Sequence, residues 1–352
     1  MLLIDAHLDL AWNALQWNRD LTQSAYTLRT LEAAADGSGR GQNTVCLPEM
    51  RRGEIGLCFA TLLARSTGTP RPHVDFPTAA QALAAARGQM AYYCALETEG
   101  RLRVLTTWAQ VEAHVTAWNA DSASTPIGVV ISMESADPIL RPDDLAEWFD
   151  IGVRLIGPAH YGMGRYAGGT SVEGGLTEIG VTLLRNMQQQ GIGLDLTHLS
   201  DAAFWQALDI YSGPVLASHN NARTLVPHQR QFDDAQLRAI FERGGVIGAA
   251  FDAWMLQTGW IKGATTNEKV TLNTVVDHID YICQLAGNSD HAAIGSDLDG
   301  GYGREQSPCD MDTIADLQRL TDLLSRRGYS EANIAAIMHG NWLRFLKRTL
   351  PE

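Results

Sequence analysis

Lysine is nearly missing from this 352-residue sequence: Lys262, Lys269 and Lys347 are the whole complement, and the formal net charge is −13. A nucleic-acid surface needs clustered Lys and Arg to displace phosphate counterions. The arginines here are scattered, so no nucleic-acid partner is expected. Cysteine is also scarce. Cys46, Cys58, Cys94, Cys283 and Cys309 are widely spaced and form no C-x-x-C pair. That argues against a disulfide framework or a structural zinc site and for reduced, mostly buried thiols. No apolar run approaches membrane-spanning length, and the opening MLLIDAHLDL has no basic stretch ahead of a sustained apolar one. Neither a membrane anchor nor a secretory signal is expected, which leaves a cytoplasmic location as the default. No G-x-G-x-x-G follows an early strand and no G-x-x-x-x-G-K-[ST] occurs anywhere, so nucleotide binding has no support. Internal repeats, low-complexity tracts and linker-like stretches are missing too.

What is present is an ordinary globular composition, 45% hydrophobic and 19% charged, with enough apolar surface for a large core. Barrels of α/β type exceed 200 residues as one domain, so a single domain over residues 1–352 is the simplest reading. Short apolar runs alternate with helical patterns, as in βα units around a parallel sheet. Eight strands are predicted, at 1–4, 55–62, 127–132, 153–157, 191–196, 214–217, 245–251 and 292–295. Helical stretches fall at 79–99, 143–149, 179–190, 201–211, 233–243 and 272–285, with three more at 312–326, 331–338 and 341–350. The expected architecture is an α/β fold, a (β/α)8 TIM barrel with extra C-terminal helices. Two connections, 18–53 and the glycine-rich 162–175, are long; the second is a candidate lid or pocket wall.

Barrels of this kind carry their chemistry where strands end. The first predicted strand leads into His7-Leu8-Asp9, the third into Glu134, the fourth into His160, the fifth into His198, the sixth into His219 and the eighth into Asp297. His7 and Asp9 are two apart, so an extended chain points both to one side. A lone histidine is usually a hydrogen-bonded core residue, but burying so many polar groups together without a metal would leave charges unpaired. Imidazole and carboxylate suit Zn2+ or a similar ion. One catalytic zinc takes about three protein ligands, whereas His7, Asp9, Glu134, His198 and His219 are five, so two ions fit better. Since no lysine ends a central strand, Glu134 is the candidate bridge, with a shared hydroxide as nucleophile.

These segments resemble the membrane (renal-type) dipeptidases, a branch of the metal-dependent amidohydrolase barrels. DAHLDL is similar to the family's D-G-H-x-D-L, SMESAD to S-x-E-G, DLTHLS to D-[LV]-[ST]-H, SHNNAR to S-H-[SN]-x-[AR], IGSDLDG to G-[SG]-D-[FL]-D-G, and HGNWLRFL to G-N-x-L-R. The match runs in order over nearly the whole chain. It implies a zinc-dependent dipeptidase with His7 and Asp9 on one Zn2+, His198 and His219 on the other, and Glu134 bridging. It further implies that His160 polarises the scissile carbonyl, that Arg230 binds the substrate carboxylate, and that Asp297 shuttles the proton. A small dipeptide is then the substrate, and a homodimer is compatible with the resemblance. Ala6 and Ser135 stand where the family usually has glycine, and FDAWMLQTGW lacks the tyrosine many relatives place near the substrate.

Other readings fit the same residues. A related binuclear amidohydrolase could act on N-acyl amino acids, lactones or cyclic amides, and a non-catalytic metal-binding scaffold would keep the ligands alone. Arg223 competes with Arg230. Asp5, Asp195 and Asp299 could orient ligand histidines or simply cap turns. His73, His114, His228, His278, His291 and His339 end no strand, and solvent or structural roles are expected for them. The tryptophans, Trp12, Trp254 and Trp260 among them, read mainly as core.

Overall fold

Parallel strands carry the fold: β1 (Leu3–Leu8), β2 (Ile55–Leu63), β3 (Leu102–Val104), β4 (Ile127–Glu134), β5 (Val153–Gly157), β6 (Gly193–Asp195), β7 (Val215–Leu216), β8 (Ile247–Ala249) and β9 (Ala292–Ile294). The computed structural model describes residues 1–72 and 74–352, so His73 lies outside the described residues. Strands pair in the order β7-β6-β5-β4-β2-β1-β9-β8. The ring closes where Ala217 bridges Ile247, with Ala217 N donating to Val246 O at 2.9 Å and Gly248 N to Ala217 O at 2.8 Å. This is the expected (β/α)8 barrel.

Alternate strand residues face the two sides. Leu57 and Phe59 of β2, Val130 of β4 and Leu155 of β5 join one apolar cluster, while Cys58, Ala60, Val129, Ile131 and Ile156 join another. Period-two alternation then puts Glu134 on the same face as Val130. The first cluster also contains Trp342, Phe345 and Leu346 of the helix Asn341–Thr349. Trp342 meets Phe59 edge-on at 5.1 Å and donates its indole N–H to Ile294 O at 2.9 Å, and Asn341 donates to Ser289 O and Ala292 O. The closing segment HGNWLRFL therefore packs against the barrel strands, and each such fully buried large side chain is worth about 1.5–3 kcal/mol.

Several boundaries differ from the sequence reading. β1 begins later than expected but runs on to Leu8, because the Asp5 carboxylate accepts the N–H groups of His7 and Ser296, at 3.1 and 2.9 Å, and so tolerates burial. β6 starts after Gly191, which caps the preceding helix Glu178–Gln190 with φ +71 rather than opening the strand. The unexpected β3 shares an edge of β4 with β5, pairing at Ile127–Val129 below the point where β5 joins. The helix Trp108–Ala120, also unforeseen, has a Thr107/Gln110 capping box, the T-x-x-Q pattern that marks a helix start. The connection 18–53 is no plain loop: it carries the helices Ala25–Leu31 and Leu47–Arg52. Among the described residues, no helix is long and apolar enough to cross a membrane.

Candidate active site

The carboxyl ends of six strands meet at one point. His7 lies inside β1 with Asp9 just beyond it, Glu134 ends β4, and His160, His198, His219 and Asp297 follow β5, β6, β7 and β9. One oxygen of Glu134, Oε1, is 3.5 Å from His7 Nε2, 3.6 Å from His160 Nε2, 3.1 Å from His198 Nε2 and 3.4 Å from His219 Nε2. His7 Nε2 is also 3.8 Å from Asp9 Oδ1 and 3.9 Å from Asp297 Oδ1. His198 and Asp297 sit at φ +69 and +58, a left-handed geometry costing roughly 1–3 kcal/mol for a residue with a Cβ. Such strain persists only where packing enforces it.

Partners behind the imidazoles fix which nitrogen faces inward. His198 Nδ1 is 2.9 Å from Thr170 Oγ1, whose hydroxyl donates to His198 O. With that proton committed, Thr170 accepts from Nδ1–H and leaves Nε2 as a bare lone pair. Ser218 Oγ stands 2.9 Å from His219 Nδ1 in the same way, donating onward to Thr197 Oγ1. The Nε2 atoms of His198 and His219 are 3.1 Å apart, and two lone pairs so close repel unless a cation lies beside them. His7 Nε2 is buried with no hydrogen-bond partner. Among the described residues, His7, Glu134 and His219, then Glu134, His160 and His198, then His7, Asp9 and Asp297 could each hold a metal ion. The donor set, imidazole and carboxylate without thiolate, fits a zinc-like ion.

Electrostatics point the same way. Burial pushes His198 and His219 well below the ordinary imidazole range, helped in both by the Arg230 charge and in His219 by His7, so both stay neutral, as ligands must be. Burial opposes charge on His7 too, but Glu134, Asp9 and Asp297 outweigh it and raise the group to about 10; without an ion these carboxylates draw a proton onto His7, and a cation bound among them would have to displace it. Glu134 is buried as well, yet His160, His7 and His198 hold it well below the carboxylate range. Asp297 moves the other way: burial first, then Asp9, Glu134 and Asp252, lift it well above that range against the pull of His7.

A cavity opens on this cluster, lined by Asp9, Glu134, His160, His198, Arg230 and Asp297 together with Tyr161, Asp252 and Trp254. Arg230 is 2% exposed; its Nη2 donates to His219 O at 2.9 Å while Nη1 has no partner. An orphaned buried donor costs about 1–3 kcal/mol, more when charged, and this one borders the cavity with a donor left to give. The rival Arg223 is committed elsewhere, forked onto Asp201 at 2.6 and 3.0 Å. His228 accepts Arg230 N at 3.0 Å and so fixes the arginine's backbone. Tyr161 and, from the segment after β8, Trp254 supply the aromatic walls, so a tryptophan and not a tyrosine comes from that loop.

None of Asp5, Asp195 and Asp299 hydrogen-bonds a ligand imidazole. Asp195 Oδ1 joins β6 to β7 by accepting Thr197 N and Ser218 N, and Asp299 accepts Thr44 N, Thr44 Oγ1 and Val45 N. Backbone anchoring won over imidazole orientation because each carboxylate faces unpaired N–H groups where strands turn. Sequence reasoning missed the groups that touch the site residues from behind: Thr170, Ser218, Arg65, which lies 2.8 Å from His160 Nδ1, and Thr61, which hydrogen-bonds Asp9. Arg65 lies two residues past β2, a strand end left unread; the hydroxyls carry no distinctive pattern beyond Ser218 preceding His219.

A family model described as membrane dipeptidase, peptidase family M19, matches residues 1–350. An uncharacterised Klebsiella pneumoniae protein of the pqqA 5′ region is 34% identical over 212 residues, 58% of this chain and 75% of that protein. Dipeptidase tcpJ of Claviceps purpurea is 31% identical over 201 residues, 56% of this chain and 45% of the relative, so the aligned segment spans under half the length of that protein. Among solved structures, a Rhodobacter sphaeroides metallopeptidase liganded with a phosphinate mimic of the dipeptide L-Ala-D-Ala superposes with TM-score 0.78 at 26% identity, covering 99% of both chains. Dipeptidase AC, a family M19 metallopeptidase, gives TM-score 0.78 at 26% identity over 100% of this chain and 99% of its own.

Proposed function

Because the chain belongs to the membrane dipeptidase family, peptidase family M19, we propose that it is a zinc-dependent dipeptidase, one catalytic domain over residues 1–352, cleaving dipeptides that present a free carboxylate. The observation that carries this reading is the convergence of four imidazoles on Glu134 Oε1 beside the unpartnered Arg230 Nη1. His7 and Asp9 would hold one ion and His198 and His219 the other, with Glu134 as the carboxylate shared by both sets. A metal held there would supply Lewis-acid polarisation and a water of lowered pKa.

The chain's own residues do the rest. Arg230 pairs with the substrate carboxylate and sets which bond lies over the cluster. His160 presents Nε2 to the carbonyl oxygen, where a placed donor favours developing negative charge. Asp297, whose neutral form is favoured by burial, exchanges a proton with the leaving amine. Zinc-loaded protein should hydrolyse free dipeptides, lose that activity to a chelator and regain it with zinc. N-acyl amino acids, lactones and cyclic amides should turn over poorly, and preference for any of these over dipeptides would replace the reading.

A further inference from the structure

Arg65 leaves the barrel two residues beyond β2 and is 5% exposed. Its Nε is 3.0 Å from Asp75 Oδ2, an ion pair without the alignment of a hydrogen bond, and Asp75 is itself held by Thr67 N at 3.0 Å and Thr67 Oγ1 at 2.6 Å. The backbone closes the same loop, Phe76 N donating to Arg65 O at 2.7 Å. The guanidinium is thus anchored on its far side, and its Nη1 lies 2.8 Å from His160 Nδ1. A guanidinium has five N–H donors, no acceptor, and stays protonated in proteins. Nδ1 of His160 must therefore accept, which places the ring proton on Nε2, the nitrogen that faces Glu134 Oε1 at 3.6 Å.

This reverses the arrangement at His198, where Thr170 accepts from Nδ1–H and Nε2 is left bare. Two neighbouring histidines, with ring centroids 4.2 Å apart, are thereby given opposite tautomers: one is a ligand and the other a donor. From this we propose that Arg65 is a positioning residue that fixes His160 as the neutral Nε2–H tautomer, so that His160 donates a hydrogen bond to the substrate carbonyl and stays out of metal ligation. The proposal rests on the dipeptidase reading for the identity of that carbonyl, though the tautomer itself does not depend on it.

The test has two arms on zinc-loaded protein. In the first, nitrogen NMR of ¹⁵N-histidine-labelled wild type should show His160 with Nδ1 unprotonated and Nε2 protonated. Arg65→Met should give a mixture of tautomers, while Arg65→Lys, which also can only donate, should keep the wild-type pattern. An Nδ1–H signal for His160 in the wild type would overturn the proposal, whatever the enzyme's substrate. In the second, Arg65→Met should lower kcat on a dipeptide by on the order of 10²-fold, the usual loss for one placed donor, with KM and bound zinc little changed. Arg65→Lys should recover most of it. In a His160→Ala background the Arg65→Met change should cost nothing more; an equal loss there would mean that Arg65 acts by another route and would also overturn the proposal. Wild type inactive on dipeptides would refute the functional reading and leave the NMR arm to decide this one.

Discussion

Thr170 accepts the Nδ1–H of His198 at 2.9 Å and gives its own hydroxyl proton to the His198 carbonyl oxygen at 3.3 Å. The threonine sits in the glycine-rich connection, which is tied down rather than loose: Thr170 N donates to His160 O at 2.8 Å and Gly162 N to Thr170 O at 2.9 Å. A Cβ on Gly169 would lie 1.9 Å from His160 O and one on Gly168 1.8 Å from Gly174 O, so glycine is required by close approach. No residue of 162–175 lines the cavity, so the segment lies behind the site rather than walling it, and its composition serves to bring Thr170 against His198.

Removing that hydroxyl tests the arrangement. Thr170→Val keeps the shape of the side chain and deletes the acceptor, so His198 loses its tautomer control. Partners of this kind are typically worth 10–100-fold in metal affinity. Chelator competition should show zinc binding weakened by about that factor with the circular dichroism spectrum retained; unweakened binding would mean that Thr170 serves only the loop.

Ser135 occupies a left-handed backbone position, φ +74, directly after Glu134, where the resembling family usually has glycine. A residue with a Cβ there is strained by roughly 1–2 kcal/mol, and glycine is not. The serine offsets part of this, its hydroxyl lying 3.4 Å from Asp137 N and also favouring the charged form of the buried Asp137 carboxyl. Ser135→Gly should therefore raise unfolding stability by about 1 kcal/mol, less the extra chain entropy of glycine, read as a higher urea midpoint at constant slope. A lower midpoint would show that the hydroxyl contact outweighs the strain.

These two positions also show what was legible beforehand. The metal-ligand candidates stood at strand ends because a parallel barrel gathers its carboxyl termini on one rim, and that rule needs only the order of apolar runs. It found His7, Glu134, His198 and His219 although the strand bounds were off by several residues, since a boundary shift does not move a side chain to the other rim. Contacts between distant segments were not legible: nothing in the pattern around Thr170 or Arg65 marks them, because their roles arise from tertiary approach. Nor could the sequence separate Arg230 from Arg223. The difference lies in Asp201 being within reach of one and not of the other.

Arg230 yields the sharpest test of substrate recognition. Its buried Nη1 has no partner, so a substrate carboxylate would complete a desolvated charge pair, and truncating one side of such a pair costs about 2–5 kcal/mol. Arg230→Ala should lower kcat/KM for a free dipeptide by roughly 10²–10³-fold while zinc content is unchanged. Wild type should act slowly on the C-terminally amidated dipeptide, and the substitution should matter little there. Equal losses on both substrates would show that Arg230 supports the fold and does not read the carboxylate.

His278 gives the protein an acid limit that does not depend on the metal ligands. It is buried on the helix Leu272–Ala286, and its Nδ1 accepts the backbone N–H of Ala222 at 3.1 Å, just past the His219 turn. Burial lowers its pKa from 6.5 to about 4, against a small pull from Asp277. A histidine whose folded value lies below its unfolded one takes up its proton more readily in the unfolded chain. Stability is therefore complete above about pH 6.5 and falls as pH drops toward 4, by up to roughly 3 kcal/mol across that window. His278→Gln can keep an acceptor for Ala222 N but cannot titrate. Urea unfolding should find the variant less stable than wild type at pH 7, with the gap shrinking or reversing at pH 4.5. A gap that stays constant between the two pH values would show that His278 takes up no extra proton on unfolding.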